Sequence, residues 1–241
     1  MNDTFLGSNV NFVKAHNLRA ILLSLLFQMP VFRAQLAEDI GLSRTTITNL
    51  VDELMQEGIV VEKGVEEIEG SRRVGRPRMA LYLNPQARYA LGVHIGVGVY
   101  RVGLVDLRSN LIENELCWFD PHTPHDQVME DIVSRLEQII VKSGVDRSKI
   151  IGLGIGVPAI VDYQTGVFTW APNLDWENIP MRDWFSQKMG MPVVVENNTR
   201  SMALAESYFG SGKDSDSLLF VFGRYGVGSG IVFQRQVFHG S

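Results

Sequence analysis

The chain has 241 residues, 45% of them hydrophobic and 20% charged, which suits one large or two ordinary folded domains and excludes a disordered chain. Its formal net charge is -5, so any contact with nucleic acid has to come from a local group of basic residues and not from the overall balance. Cys117 is the only cysteine, which excludes an internal disulfide framework and a cysteine-built zinc site within these residues and favours a reducing compartment.

The N-terminus, "MNDTFLGSNVNFVKAHN", lacks a charged region followed by an apolar one, and no apolar run reaches the roughly 18 residues of a membrane span. A soluble cytoplasmic protein with no membrane partner is expected. "NLRAILLSLLFQ", residues 17 to 28, puts Leu18, Ile21, Leu22, Leu25 and Leu26 on one helical stripe, and Pro30 stops it. A short helix over Arg33 to Ile40, a turn at Gly41 and a new helix starting at Ser43 follow the helix-turn-helix pattern.

The second of these helices turns Ile47, Leu50, Val51 and Leu54 inward and leaves Arg44, Thr45, Thr48 and Asn49 outward. Ser43 suits an N-cap, and the backbone N–H groups of that first turn, with Thr46, suit a DNA phosphate. Arg can pair bidentately with guanine, Asn with adenine, and a Thr methyl can meet that of thymine. An ordinary polar helix face is the alternative for these residues.

Strands near 59 to 63 and 79 to 84 flank a polar loop, as in the wing of a winged helix. That loop carries "SRRVGRPRM", with Arg73, Arg76 and Arg78 as candidate DNA contacts; its extended Gly75-Arg76-Pro77 can lay an Arg into an A/T-rich minor groove. A solvated loop is the alternative. Residues 1 to 80 hold nine Lys and Arg against ten Asp and Glu, so binding depends on a few placed arginines and on their doubling in a homodimer or higher homo-oligomer.

From Tyr89 the pattern becomes "YALGVHIGVG", "YRVGLVDLRSN" and "LIENELCWF", a three-stranded meander. "DQVMEDIVSRLEQIIVKSG" is an amphipathic helix, and "KIIGLGIGVPAIVD" reads as a fully buried strand ending in a loop. "MPVVVENN" is a strand, "TRSMALAESYFG" a helix, and "SLLFVFGRYGVGSGIVF" a strand, a glycine turn and a strand.

The order of "LGVHIGVG", "GLGIGVPAIVDYQTGVFTWAPNLDW", "NNTRSMALAE" and "GVGSGIVF" resembles the ROK family of bacterial sugar kinases and sugar-responsive repressors. The preceding helices and "GRP" loop resemble its repressor branch, of the xylose and N-acetylglucosamine repressor type. The resemblance implies an α/β fold with an N-terminal winged helix-turn-helix over residues 1–86. An actin-like, ribonuclease H-like sugar-kinase lobe follows over 87–241, with the second lobe incomplete. The family continues past "FHGS" into a cysteine cluster that holds zinc, so a truncated product or fragment is expected, without a cofactor of its own.

The departures from the family pattern bear on function. Family kinases open the first hairpin with an Asp-Ile-Gly-Gly-Thr type sequence; here it is His94-Ile95-Gly96-Val97-Gly98, without the acid. A second phosphate loop, Gly-Thr-Gly, reads Arg224-Tyr225-Gly226, whose bulky side chains are expected to fill the room a phosphate needs. The kinase Asn-Asp-Ala-Asn matches Asn197-Asn198-Thr199-Arg200, so the general base falls on Asn198, an amide unable to take a sugar hydroxyl proton. No catalysis is expected.

Hydrogen bonding to a neutral polyhydroxy ligand survives. By resemblance the sugar site comprises Ala159, Asn173, Asn197 and Asn198, with a helix N-cap as the alternative role for Asn198. The expected partners are double-stranded operator DNA and a small sugar effector.

Overall fold

The structure is a computed structural model and describes residues 10–64, 79–171, 173–224 and 226–240. The chain forms two compact units, residues 1–88 and 89–241.

In the first unit, α1 (Val10–Gln28) precedes α2 (Arg33–Ile40), α3 (Arg44–Gln56) and an antiparallel hairpin of β1 (Val60–Gly64) and β2 (Met79–Leu83). The helix α1 begins at Val10, ahead of the apolar stripe that starts at Leu18. Its first turns carry exposed Phe12 and Val13, so the sequence period marks only the part that packs. Of the five stripe residues, Ile21 and Leu25 are fully buried. The helix α2 packs on α1 and α3, β2 lies on α1, and β1 lies on α3.

Gly41, at φ 73°, ends α2 in the left-handed region that glycine adopts without strain, and its N–H reaches Ala37 O at 3.1 Å. Ser43 then caps α3, its Oγ accepting from Thr46 N–H at 3.1 Å. Arg33 pins the two helices to the hairpin, meeting Asp52 at 2.9 Å and Glu62 at 3.2 Å. The basic loop with Arg73, Arg76 and Arg78 lies outside the described residues.

The second unit is built on a five-stranded sheet of β3 (Tyr89–Gly96), β4 (Val99–Asp106), β5 (Leu111–Trp118), β6 (Ile150–Val157) and β10 (Val193–Asn197), ordered β10-β6-β3-β4-β5. Strands β3, β6 and β10 run parallel, and β4 is antiparallel to both neighbours. A small sheet of β7 (Ile160–Asp162), β8 (Val167–Trp170) and β9 (Glu177–Ile179) follows β6.

Helices α4 (His125–Ser143) and α5 (Met181–Met189) cover one face of the large sheet, where Leu91, Val93 and Ile95 meet Ile132, Leu136 and Phe185 in a continuous core. Strand β6 is not buried on both faces as its composition suggests: Leu153 and Ile155 point into the core, whereas Ile151 and Gly154 are exposed on the other side. Its glycines leave that second face low. Helix α6 (Asn198–Phe209) settles there, with Asn198 Cα 3.6 Å from where a Cβ on Gly156 would stand.

On α6 rests a third sheet, of β11 (Ser217–Gly223), β12 (Val227–Phe233) and β13 (Gln236–Val237). Glycine makes this contact possible. A Cβ on Gly228 would fall 2.6 Å from Thr199 Oγ1, and one on Gly230 2.6 Å from Ala203 Cβ and 2.9 Å from Thr199 O. The opposite face of the β11–β12 hairpin leaves Leu219, Val221, Ile231 and Phe233 exposed.

Gly230→Ala is therefore expected to destabilise the second unit by about 1–3 kcal/mol through overpacking, read as a lower thermal midpoint. Gly154→Ala, built into open space, should change stability by no more than about 0.5 kcal/mol.

Candidate functional site

Strands β3, β6 and β10 all end at the same edge of the large sheet, with Asn197 beside Val157 and His94 beside Gly156. From the central β3 the chain runs to β4 and β5 on one side and crosses through α4 to β6 and β10 on the other. Open α/β sheets bind ligands outside the carboxyl ends of their strands where the order reverses in this way.

A cavity of about 200 Å³ opens there, lined by residues that include His94, Gly96, Pro158, Asn173, Asn197, Asn198, Phe222 and Arg224. A second cavity, of about 320 Å³, adjoins it through Pro158 and Asn197 and is lined by Ala159, Ile160, Val161, Trp170 and Arg200. Three of the four expected sugar residues, Asn173, Asn197 and Asn198, thus meet in one cavity. Ala159 belongs to its neighbour.

The N-cap of α6 is Asn197, not Asn198. Asn197 Oδ1 accepts from Thr199 N–H at 2.9 Å and Arg200 N–H at 3.2 Å, and its Nδ2 donates to Ala159 O at 2.9 Å. Most of this amide's bonding capacity is already used in holding the loop after β6 against the start of α6. Asn198, the first helical residue, only accepts from Thr199 Oγ1 at 3.3 Å. Asn173 is exposed in its loop. Those two amides are better placed than Asn197 to meet a ligand.

Of the bulky pair expected to fill the turn between β11 and β12, only Arg224 is among the described residues. Open space lies beside Gly223 and Gly226, and Arg224 lines the cavity, its backbone N–H bonded to Gly226 O at 3.0 Å. Tyr225 lies outside the described residues. His94 faces Arg101 across the β3–β4 pair, and desolvation, followed by the positive charges of Arg101 and Arg224, holds its pKa below the ordinary histidine value. At neutral pH the ring is uncharged, with one donor and one acceptor nitrogen.

Among the described residues no carboxylate lines either cavity. Glu196, one residue before the cap, instead bonds its own neighbour's N–H, at Asn197, and His239 at 2.5 Å. Among the described residues no group of three or more His, Cys, Asp or Glu side chains could hold a metal ion. No helix among them is long and apolar enough to cross a membrane. The cleft can therefore donate and accept hydrogen bonds and offer positive charge. Among the described residues that line it, His94, as a neutral imidazole, is the one side chain suited to taking a proton from a sugar hydroxyl at neutral pH.

On the first unit, Ser43, Arg44, Thr45, Thr48 and Asn49 are exposed along α3 and its cap. Thr46 is half-buried and its hydroxyl lies 2.8 Å from that of Ser43, so it takes part in the cap. His94, Thr199, Phe222 and Arg224 were not expected among ligand-lining residues; His94 and Arg224 stood out in the sequence only as departures from a kinase pattern.

The ROK family model matches residues 90–241. The xylose repressor of Caldicellulosiruptor bescii is 30% identical over 234 residues, covering 97% of this chain and 57% of that protein. A solved ROK family transcriptional regulator, a homologue of the Escherichia coli MLC protein, superposes with a TM-score of 0.76 at 24% identity, over 94% of this chain and 57% of that one. A ROK glucokinase from Streptomyces griseus, solved with glucose and AMPPNP, gives 0.54 at 28% identity, over 64% of this chain and 47% of that one. The chain thus spans somewhat over half the length of the repressor it matches. With that match extending over the larger of its two units, the chain belongs to the ROK family.

Proposed function

We propose that this chain belongs to a cytoplasmic transcriptional repressor of sugar uptake or catabolism genes. Its first unit is a winged helix-turn-helix that reads double-stranded operator DNA as a homodimer or higher homo-oligomer. Its second is an actin-like, ribonuclease H-like lobe whose cleft senses a small sugar without changing it and without a cofactor. The observation that carries the reading is the pairing in one cavity of the amides Asn173 and Asn198 with no carboxylate beside them among the described residues. Amides meet hydroxyls as donor and acceptor, and a phosphotransferase needs a group basic enough to deprotonate one.

The relatives named repressors support the DNA-binding half, and so does the layout of α3. Its buried Ile47, Leu50, Val51 and Leu54 fix the helix, while Arg44, Thr45, Thr48 and Asn49 remain outward on the face that a major groove would meet. Effector control requires that the sugar bind the DNA-competent and incompetent states with different affinity. The likeness to a glucokinase supports a second reading, a sugar kinase with a DNA-binding head. ATP-dependent phosphorylation of a hexose, lost in Asn198→Ala, would establish it.

Three outcomes test the reading. Arg44→Ala should weaken operator binding at fixed salt by about 1–3 kcal/mol, the worth of one bidentate base contact, with a smaller loss on unrelated DNA. Asn198→Ala should keep operator affinity in the absence of sugar and lose the response to it; equal damage to both would contradict the division of labour. Asn197→Ala should lower thermal stability by about 0.5–2 kcal/mol, because it removes a cap. It should also blunt the sugar response, because it frees the Ala159 loop.

A further inference from the structure

Arg33, the first residue of α2, gives its guanidinium to α3 and the hairpin. Its Nε donates to Glu62 Oε1 on β1 at 3.2 Å, and its Nη1 to Asp52 Oδ1 at 2.9 Å and to the main-chain carbonyl of Thr48 at 3.3 Å. Its Nη2 lies 3.3 Å from Met55 Sδ. Four of the five guanidinium N–H groups are thereby engaged, which leaves the side chain poorly suited to a phosphate contact of its own. Glu62 stands opposite Leu81 in the hairpin, and Leu81 pairs with Val31, just upstream of Arg33. Through this ring the guanidinium ties the middle of α3 to the root of the hairpin.

Asp52 lies one turn beyond Thr48 on the outward stripe of α3, and it is exposed. A bare carboxylate there would repel the phosphates on either side of a groove, and a unit whose acids match its bases has little positive charge to offset it. Arg33 answers that charge. Exposed ion pairs add little to stability, whereas a planar fork holding two carboxylates and a carbonyl fixes direction. Base edges are read only by side chains within hydrogen-bond reach, so a small turn of α3 costs discrimination that the general attraction to phosphates does not feel.

Resting on the reading of the first unit as a DNA-binding head, we propose that Arg33 is a positioning residue for operator recognition. Without touching DNA, it sets α3 against the hairpin and masks the Asp52 carboxylate on the face turned to the groove. The two effects separate by chemistry. A lysine keeps the positive charge beside Asp52 but is a point charge that cannot hold Asp52, Glu62 and the Thr48 carbonyl at once. A glutamine removes the charge as well and leaves both carboxylates unanswered.

The test takes a duplex that the unaltered 241-residue chain selects from a random pool, and compares it with an unrelated duplex of equal length at several salt concentrations. Arg33→Lys should keep its affinity for the unrelated duplex within about threefold while its preference for the selected one falls about tenfold or more, the size of one lost base contact. Its thermal midpoint should stay near that of the unaltered chain. Arg33→Gln should weaken binding to the unrelated duplex too, and adding Asp52→Asn should restore that affinity but not the preference. A preference kept by folded Arg33→Lys, an equal loss on both duplexes, or a preference restored by Asp52→Asn would overturn the inference while leaving the DNA-binding reading in place. Failure of the unaltered chain to select any duplex would sink both.

Discussion

The cleft depends on one side chain, the amide of Asn197. It closes the first turn of α6 by accepting two backbone N–H bonds, and with its remaining donor grips the carbonyl of Ala159 in the loop after β6. A strand end, a helix start and a loop are thereby held in one geometry. Helix α6 then serves as the seat for β12, which can lie so close only because Gly228 and Gly230 have no side chains. The turn that brings Arg224 into the cavity is therefore positioned, through two short steps, from the same cap.

That arrangement gives the pair of asparagines unequal work. Asn197 is mainly a structural clamp that also borders both cavities, whereas Asn198 has bonding capacity left to offer. A carboxylate at position 198 would add a base and a negative charge among His94, Arg101 and Arg224. The amide adds neither.

Much of the architecture could be read from hydrophobic period and turn chemistry. The inward face of α3, the Ser43 cap, the Gly41 stop and the meander of β3 to β5 all follow from local signals, and all stand in the structure. Reading failed where packing between distant segments decides. The early start of α1 carries no apolar stripe because its first turns face solvent. The second face of β6, exposed at Ile151 and Gly154 and covered by α6 only at Gly156, was hidden because an apolar run alternating with glycine looks the same whether one face is covered or two. The choice of Asn197 over Asn198 as cap turns on a hydrogen bond to a residue 38 positions away. His94 and Arg224 lie on separate sheets and meet only once β12 has docked on α6.

On the proposed function, a ligand in this cleft and DNA on the first unit bias one another. Such coupling is reciprocal by thermodynamic necessity. Ligand affinity measured on the free protein and again with operator DNA at saturation tests it most directly. Affinities that differ by a factor of about 5–150, the usual range of such couplings, are expected. Equal affinities with and without operator would contradict it.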